Sequence, residues 1–301
     1  MCMPDKSRDD WPDAIADDDA SLLWFDAKSS FLPKNQTPVT LELGGKSPVL
    51  VGRTADIGDV ARRVIKAKTF NAGQICLAPD YVLLPKGSED AFVAFATKAV
   101  HDMYGALKEN GDYTSIINER RFDRLRSWTD DAKDKGARVI ELNPAGEDFA
   151  SSDLHRLPPS LILDVNEEMV VMQEEVFGPL LPIKTYDNIE EAITYVRSHP
   201  SPLALYYFGN DFAEERLVLD GTTSGGVTIN DCISHGSIDS LPFGGIGPSG
   251  MGAYHGKTGF LTFSHARSVY RQSRSPQAEH VGLPPFGSQT RAFLSAAITM
   301  E

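Results

Sequence analysis

LELGGKSPVLVGRTADIGDVARRVIKAKTFNAGQICLAPDYVLL, residues Leu41 to Leu84, is the stretch that sets the fold. Pro48–Val51 is a short apolar run of strand length. Ile57, Val60, Ala61, Val64 and Ile65 then fall at i, i+3, i+4, i+7 and i+8, which places them on one face of a helix. Asp56 stands where a helix cap belongs, and Gly73 lies just past the end of the periodic run. Tyr81–Leu84 is a second strand. A strand, a helix and a strand in succession imply parallel pairing, because a crossover of this length returns the chain in the same direction.

The same grammar continues outward. Ser88 can cap a helix whose apolar face is Phe92, Phe95, Ala96, Ala99 and Met103. Another helix runs from about Asn118 through Phe122, Leu125 and Ala132 until Gly136. Arg138–Leu142, Ser160–Leu163 and Leu181–Lys184 read as strands. Asp187 can cap a helix carrying Ile189, Ala192, Ile193 and Val196, which must end before Pro200. Leu203–Phe208 and Gly226–Ile229 are further strands. The expected class is α/β, with a parallel sheet flanked by helices. After Ser240 the chain turns glycine-rich with little helix potential. Ser268–Arg271 is a candidate last strand, followed by a polar tail from Gln272. Upstream, residues 1–36 are crowded with aspartates and have no sustained period, so an irregular segment is expected there. The chain therefore divides into an atypical acidic segment, 1–36, an α/β domain, 37–240, and a glycine-rich loop with final strand and tail, 241–301.

Composition narrows the function. The 301 residues carry a formal net charge of −13, which argues against nucleic-acid or anionic-membrane partners. Three cysteines make no disulfide framework and suggest a reduced, cytoplasmic protein. Seven scattered histidines, with no HExxH spacing, give no support for a metal site. No apolar run reaches the ~18 residues of a membrane span, and the acidic start is no secretory signal.

Four stretches carry chemistry. In Leu41–Pro48 a single acid, Glu42, sits among apolar residues and glycines; burial there would raise a carboxyl toward neutrality and suit a general base. Taken alone, a Glu before a Gly-Gly turn reads first as a turn residue. In Phe70–Cys76 the cysteine follows a helix end and a glycine, where turn amides can lower a thiol pKa and hold an oxyanion; the alternative is an inert buried thiol. Gln173-Glu174-Glu175-Val176-Phe177-Gly178-Pro179 is a rigid loop with two acids and an aromatic ring, and also passes for a solvated acidic pair. Leu241–Gly250 contains a literal GxGxxG from Gly245, but Pro248 lies inside it and no acid follows from Met251 to Ala278. It is therefore no dinucleotide fingerprint.

Taken together, the four stretches resemble the aldehyde dehydrogenase superfamily. Glu42 matches the catalytic Glu of the family's ELGGKSP motif, and Cys76 the nucleophile of its N-x-GQxC motif. Glu175 and Phe177 match the EExFGP residues that contact the nicotinamide ribose and ring, with Leu43 and Gly44 on the same cofactor-binding side. The run Leu241–His265, with Phe243 in the substrate-side loop, is most similar to the class 3-like branch, and within it to coniferyl aldehyde dehydrogenases. The resemblance implies NAD or NADP as cofactor, an aromatic or medium-chain aldehyde as substrate, a Cys thiohemiacetal and thioester, and homodimers or tetramers. The family's dinucleotide-binding half, with its oxyanion Asn, is not visible, so an N-terminally truncated chain of doubtful activity is expected. A non-catalytic fragment associating with full-length relatives and a residual thiol esterase are the competing functions.

Overall fold

The computed structural model describes residues 38–149, 154–272, 274, 284 and 286–298. The acidic segment 1–36 lies outside them. The chain divides into two units, residues 1–262 and 263–301.

In the first unit, a two-residue strand β1 (Leu41–Glu42) precedes β2 (Pro48–Val51) and the helix α1 (Ile57–Thr69). The Asp56 carboxylate accepts from Asp59 N at 2.8 Å, capping α1 as expected. Next come β3 (Tyr81–Pro85), α2 (Glu89–Tyr104), α3 (Glu119–Asp134), β4 (Arg138–Glu141), β5 (Ser160–Leu163) and the single turn α4 (Val170–Gln173). They are followed by β6 (Leu180–Tyr186), α5 (Ile189–Arg197), β7 (Ala204–Phe208), α6 (Phe212–Gly221), β8 (Gly226–Ile229), β9 (Gly250–Met251) and α7 (Gly256–Thr262).

The main sheet has seven strands in the order β4-β5-β6-β3-β2-β7-β8. Its pairings are parallel except β4 with β5, which are antiparallel. The expected parallel sheet thus carries one reversed edge strand. Central β2 is buried throughout and divides its side chains between two cores. Val49 and Val51 meet Val60, Val64 and Phe92 from α1 and α2, while Leu50 meets Ile193 and Val196 from α5 and Val218 from α6. Helices therefore cover both faces, and the doubly buried strand needs no polar alternation.

Several expectations need correction. Asn188 rather than Asp187 caps α5, its side chain accepting from Glu191 N at 3.0 Å. Ser88 occupies the cap position of α2 without a capping side-chain bond. Phe95 and Met103 are exposed on α2, whose buried stripe is Phe92, Ala96, Ala99 and Val100. Helices α6 and α7 were not expected at all. Only Val218 of α6 and no residue of α7 is buried, so neither shows an apolar period. In the second unit Ser268–Arg271 forms no strand, and Ser288–Ile298 forms a helix, α8, in the tail read as merely polar. Among the described residues no helix is long and apolar enough to cross a membrane.

Candidate active site

The site follows from sheet order. The glycine turn before β2, the cysteine loop before β3 and the Glu174–Pro179 loop before β6 enter the N-terminal ends of three neighbouring strands, β6-β3-β2. Parallel strands put those three entries on one edge, so residues far apart in sequence converge.

The cysteine loop is held by its own motif residues. After α1 the backbone makes a 3-10 turn, Phe70–Gly73, in which Asn71, Ala72 and Gly73 are successively left-handed (φ 49°, 52° and 75°). Gln74 then staples the loop to a distant segment. Its Nε2 donates to Ser115 O at 3.1 Å, and its Oε1 accepts from Ile117 N at 3.0 Å. A Cβ built on Gly73 would lie 2.3 Å from Gly178 O, so the cysteine loop packs backbone to backbone on the Glu174–Pro179 loop. Gly73→Ala should therefore cost about 1–3 kcal/mol, from positive-φ strain and the clash together. A fall in the urea midpoint with slowed alkylation of Cys76 is the expected result.

Lys46 and Asp80 lock the other two loops. Lys46 Nζ pairs with the Asp80 carboxylate and donates to Val171 O and Glu174 O, both at 2.8 Å. Asp80 Oδ1 accepts from Val176 N at 2.8 Å. The family-like lysine is thus a clamp, and its partner Asp80 carried no mark in the sequence.

Cys76 Sγ lies 3.6 Å from Glu42 Oε1. The second Glu42 oxygen accepts from the Tyr254 hydroxyl. The burial that would raise the Glu42 carboxyl does not occur: Glu42 is exposed, on a strand whose described pairing is with two-residue β9. The expected lowering of the thiol pKa is also overturned. Burial above all, then the Glu42 carboxylate and more weakly Glu175, pushes the half-buried Cys76 thiol up to about 11. The Cys76 backbone N–H acts in the opposite sense and is outweighed.

Glu175 sits across from Gly44. A Cβ at Gly44, where φ is 80°, would lie 3.0 Å from its Oε1 and 3.1 Å from its Oε2, so a side chain there would press on that carboxylate. Burial and the Asp80 carboxylate push Glu175 up to about 8, against the Gly45 N–H, Lys46 and Lys68. Phe177, left-handed at φ 48°, leaves its ring exposed between the pinned residues Val176 and Gly178. Leu43 is half-buried, and its N–H is already spent on Ser249 O at 3.0 Å. Phe243 is not an open surface: it is buried, bridged to Tyr254 and in edge contact with that ring at 5.6 Å between centroids. Tyr254 itself was missed. It lies 212 residues from Glu42, and nothing local in its sequence points to a carboxylate. Among the described residues no cluster of metal-ligating side chains occurs.

The mostly parallel sheet covered on both faces, with these loops gathered at one edge, matches the catalytic domain of aldehyde dehydrogenases. The chain belongs to the aldehyde dehydrogenase family, which it matches over residues 27–269, a span that begins upstream of Thr37. It is 56% identical over 267 residues to the coniferyl aldehyde dehydrogenase of Pseudomonas sp. strain HR199, covering 89% of this chain and 56% of that protein. Among solved structures it resembles substrate-bound AldH of Staphylococcus aureus, with a TM-score of 0.81 and 35% identity over 93% of this chain and 58% of that one. An indole-3-acetaldehyde dehydrogenase in complex with NAD+ aligns with a TM-score of 0.70 and 25% identity, over 83% of this chain and 50% of that one. The chain spans little more than half the length of the relatives it matches.

Proposed function

We propose that this chain carries the covalent chemistry of NAD(P)-dependent aldehyde oxidation, with Cys76 as nucleophile and Glu42 as base. The supporting observation is the 3.6 Å approach of the thiol to a carboxylate at the convergence of three loops. Sulfur adds to the aldehyde carbon while the thiol proton passes to Glu42, leaving an oxyanion near the Cys76 backbone amide. Because Glu42 is exposed, that proton can leave to water before the residue is needed again. Bound NAD or NADP supplies the acceptor for the hydride whose loss converts the thiohemiacetal to a thioester. Glu42 then removes a proton from the water that attacks the thioester, and the carboxylic acid leaves as the sulfur recovers its proton.

Residues present fit the nicotinamide end of such a cofactor. The Glu175 carboxyl beside side-chain-free Gly44 offers a partner for ribose hydroxyls, and the exposed Phe177 ring offers an apolar surface. Likeness to a coniferyl aldehyde dehydrogenase favours an aromatic aldehyde as substrate, with medium-chain aldehydes next. A reducing compartment such as the cytoplasm belongs to the same reading, since Cys76 must stay a free thiol. So does a homodimer or tetramer.

The test is acylation by p-nitrophenyl acetate. A burst approaching one equivalent, with the acetyl mass on the Cys76 peptide, is the expected result; acetylation elsewhere sinks the assignment. Ester hydrolysis needs only the Cys76–Glu42 pair, so a thiol-esterase activity accompanies this reading. Hydride transfer asks for more. It needs the acceptor carbon held within about 3–3.5 Å, and misplacement by about 1 Å can cost 100-fold. The residues proposed above grip one end of a dinucleotide. Expressed by itself, the 301-residue chain should therefore bind NAD weakly in calorimetry and form NADH at least ~100-fold more slowly than a full-length relative. Micromolar affinity with comparable turnover would refute this.

A further inference from the structure

We propose that Tyr254 is a positioning residue for Glu42, holding the carboxylate on the thiol. This rests on the reading of Glu42 as the base.

Glu42 is an exposed side chain on a two-residue strand, with little packing of its own to fix a rotamer. Two contacts hold its carboxylate: the Cys76 sulfur on Oε1 and the Tyr254 hydroxyl on Oε2. The first partner is the reacting group and is lost as a hydrogen-bond donor once acylated. During thioester hydrolysis Tyr254 is then the remaining fixed donor, at the step where the base must be aimed at water.

The tyrosine is itself rigidly set. Its backbone exchanges both hydrogen bonds with Phe243, Phe243 N to Tyr254 O and Tyr254 N to Phe243 O, each 2.8 Å. Its ring meets the buried Phe243 ring edge-on at 5.6 Å between centroids and the His255 ring edge-on at 4.9 Å. His255 in turn stacks on Phe243 at 5.3 Å between centroids, so three rings form one packed block. The strand β1 that bears Glu42 pairs with β9, which lies three residues before Tyr254, with Glu42 opposite Gly250. The glycine-rich segment therefore delivers both the strand that pairs with the Glu42 backbone and the hydroxyl that aims its carboxylate. The ionisable groups around the pair are Cys76 and Tyr254, with Glu175 acting on Cys76 and His255 beside Tyr254. Burial and Glu42 push the Tyr254 phenol up to about 12, so it remains a donor throughout the neutral range.

Tyr254→Phe keeps the ring block and removes only the donor. In the full chain acetylated by p-nitrophenyl acetate, deacylation should slow about 10-fold, the usual effect of losing one hydrogen bond to a charged group. Acylation stoichiometry and the urea midpoint should stay unchanged. The loss should fall on deacylation and spare the acylation rate, because in the free enzyme the Cys76 thiol still holds the other Glu42 oxygen. A merely structural tyrosine would shift the urea midpoint and slow acylation and deacylation alike. Glu42→Gln measured alongside separates the two ideas. Slow deacylation in Glu42→Gln with a wild-type deacylation rate in Tyr254→Phe overturns the positioning role alone. Wild-type deacylation in Glu42→Gln overturns the reading of Glu42 and the positioning role with it.

Discussion

Cys76→Ser should abolish acyl-enzyme formation, lowering acylation by p-nitrophenyl acetate by ~10⁴-fold or more, as loss of an enzymatic nucleophile commonly does. The substitution is close to isosteric at a half-buried position, so the urea midpoint should stay within about 0.5 kcal/mol of wild type. The geometry of the loop survives, since Gln74 and the Gly73–Gly178 contact hold it without the sulfur. What is lost is the chemistry, because a serine hydroxyl with only an exposed carboxylate beside it is a far weaker nucleophile. In the wild-type chain iodoacetamide should label Cys76 ahead of Cys232. The latter is buried, and burial followed by Asp231 pushes its thiol well above the ordinary value. The labelling rate at Cys76 should keep rising with pH through about 11 instead of levelling near 9, since the attacking species is the thiolate. Preferential labelling of Cys232 would show that the reactive thiol has been misplaced.

The sheet was legible because its central strands and the helix α1 obey single, strong patterns. Val49, Leu50 and Val51 are buried on both faces, so their run is wholly apolar, and the five α1 positions face one core. What escaped was whatever tertiary context decides. Strand sense is one case: β4 and β5 have strand-like composition, but the segment joining them does not encode that they run antiparallel. Helix α6 is another, with Val218 as its single buried residue and hence no stripe to find. Helix α7 buries nothing and begins at a glycine, so composition argued against it.

The site shows the same division. Cys76, Glu42 and Glu175 stood out because their flanking residues form recognisable motifs, and parallel strand order gathers their loops at one edge. Their electrostatics were not legible. Apolar neighbours made burial conceivable for Glu42, but Leu41 and Leu43 are themselves only half-buried, and the β1–β9 ribbon leaves the acid exposed. A lowered thiol was expected at Cys76 from turn amides, yet desolvation and two carboxylates outweigh one backbone N–H. Asp80 and Tyr254 act across long sequence separations, 34 residues to Lys46 and 212 to Glu42, where no local pattern reports them.

Glu42→Gln should move two rates of the same cysteine in opposite directions. The carboxylate is the strongest charge holding the Cys76 thiol up near 11, by Coulombic opposition to the thiolate and by accepting from the thiol. An uncharged amide of the same shape removes the repulsion, so the thiol pKa falls, more thiolate exists at neutral pH, and iodoacetamide alkylation speeds up. Deacylation behaves differently. Water attacking a thioester needs a base for its proton, and an amide cannot serve, so hydrolysis should slow by about 10²–10⁴-fold and acetylated Cys76 should accumulate. A residue that merely packed against the loop would slow both reactions by disturbing the sulfur. A residue acting only through charge would raise alkylation and leave deacylation alone. Mass spectrometry of the Cys76 peptide during ester turnover, beside alkylation rates at fixed pH, separates these outcomes. The role assigned here requires faster alkylation and slower deacylation in one variant, and Glu42 remains a base only if both are observed.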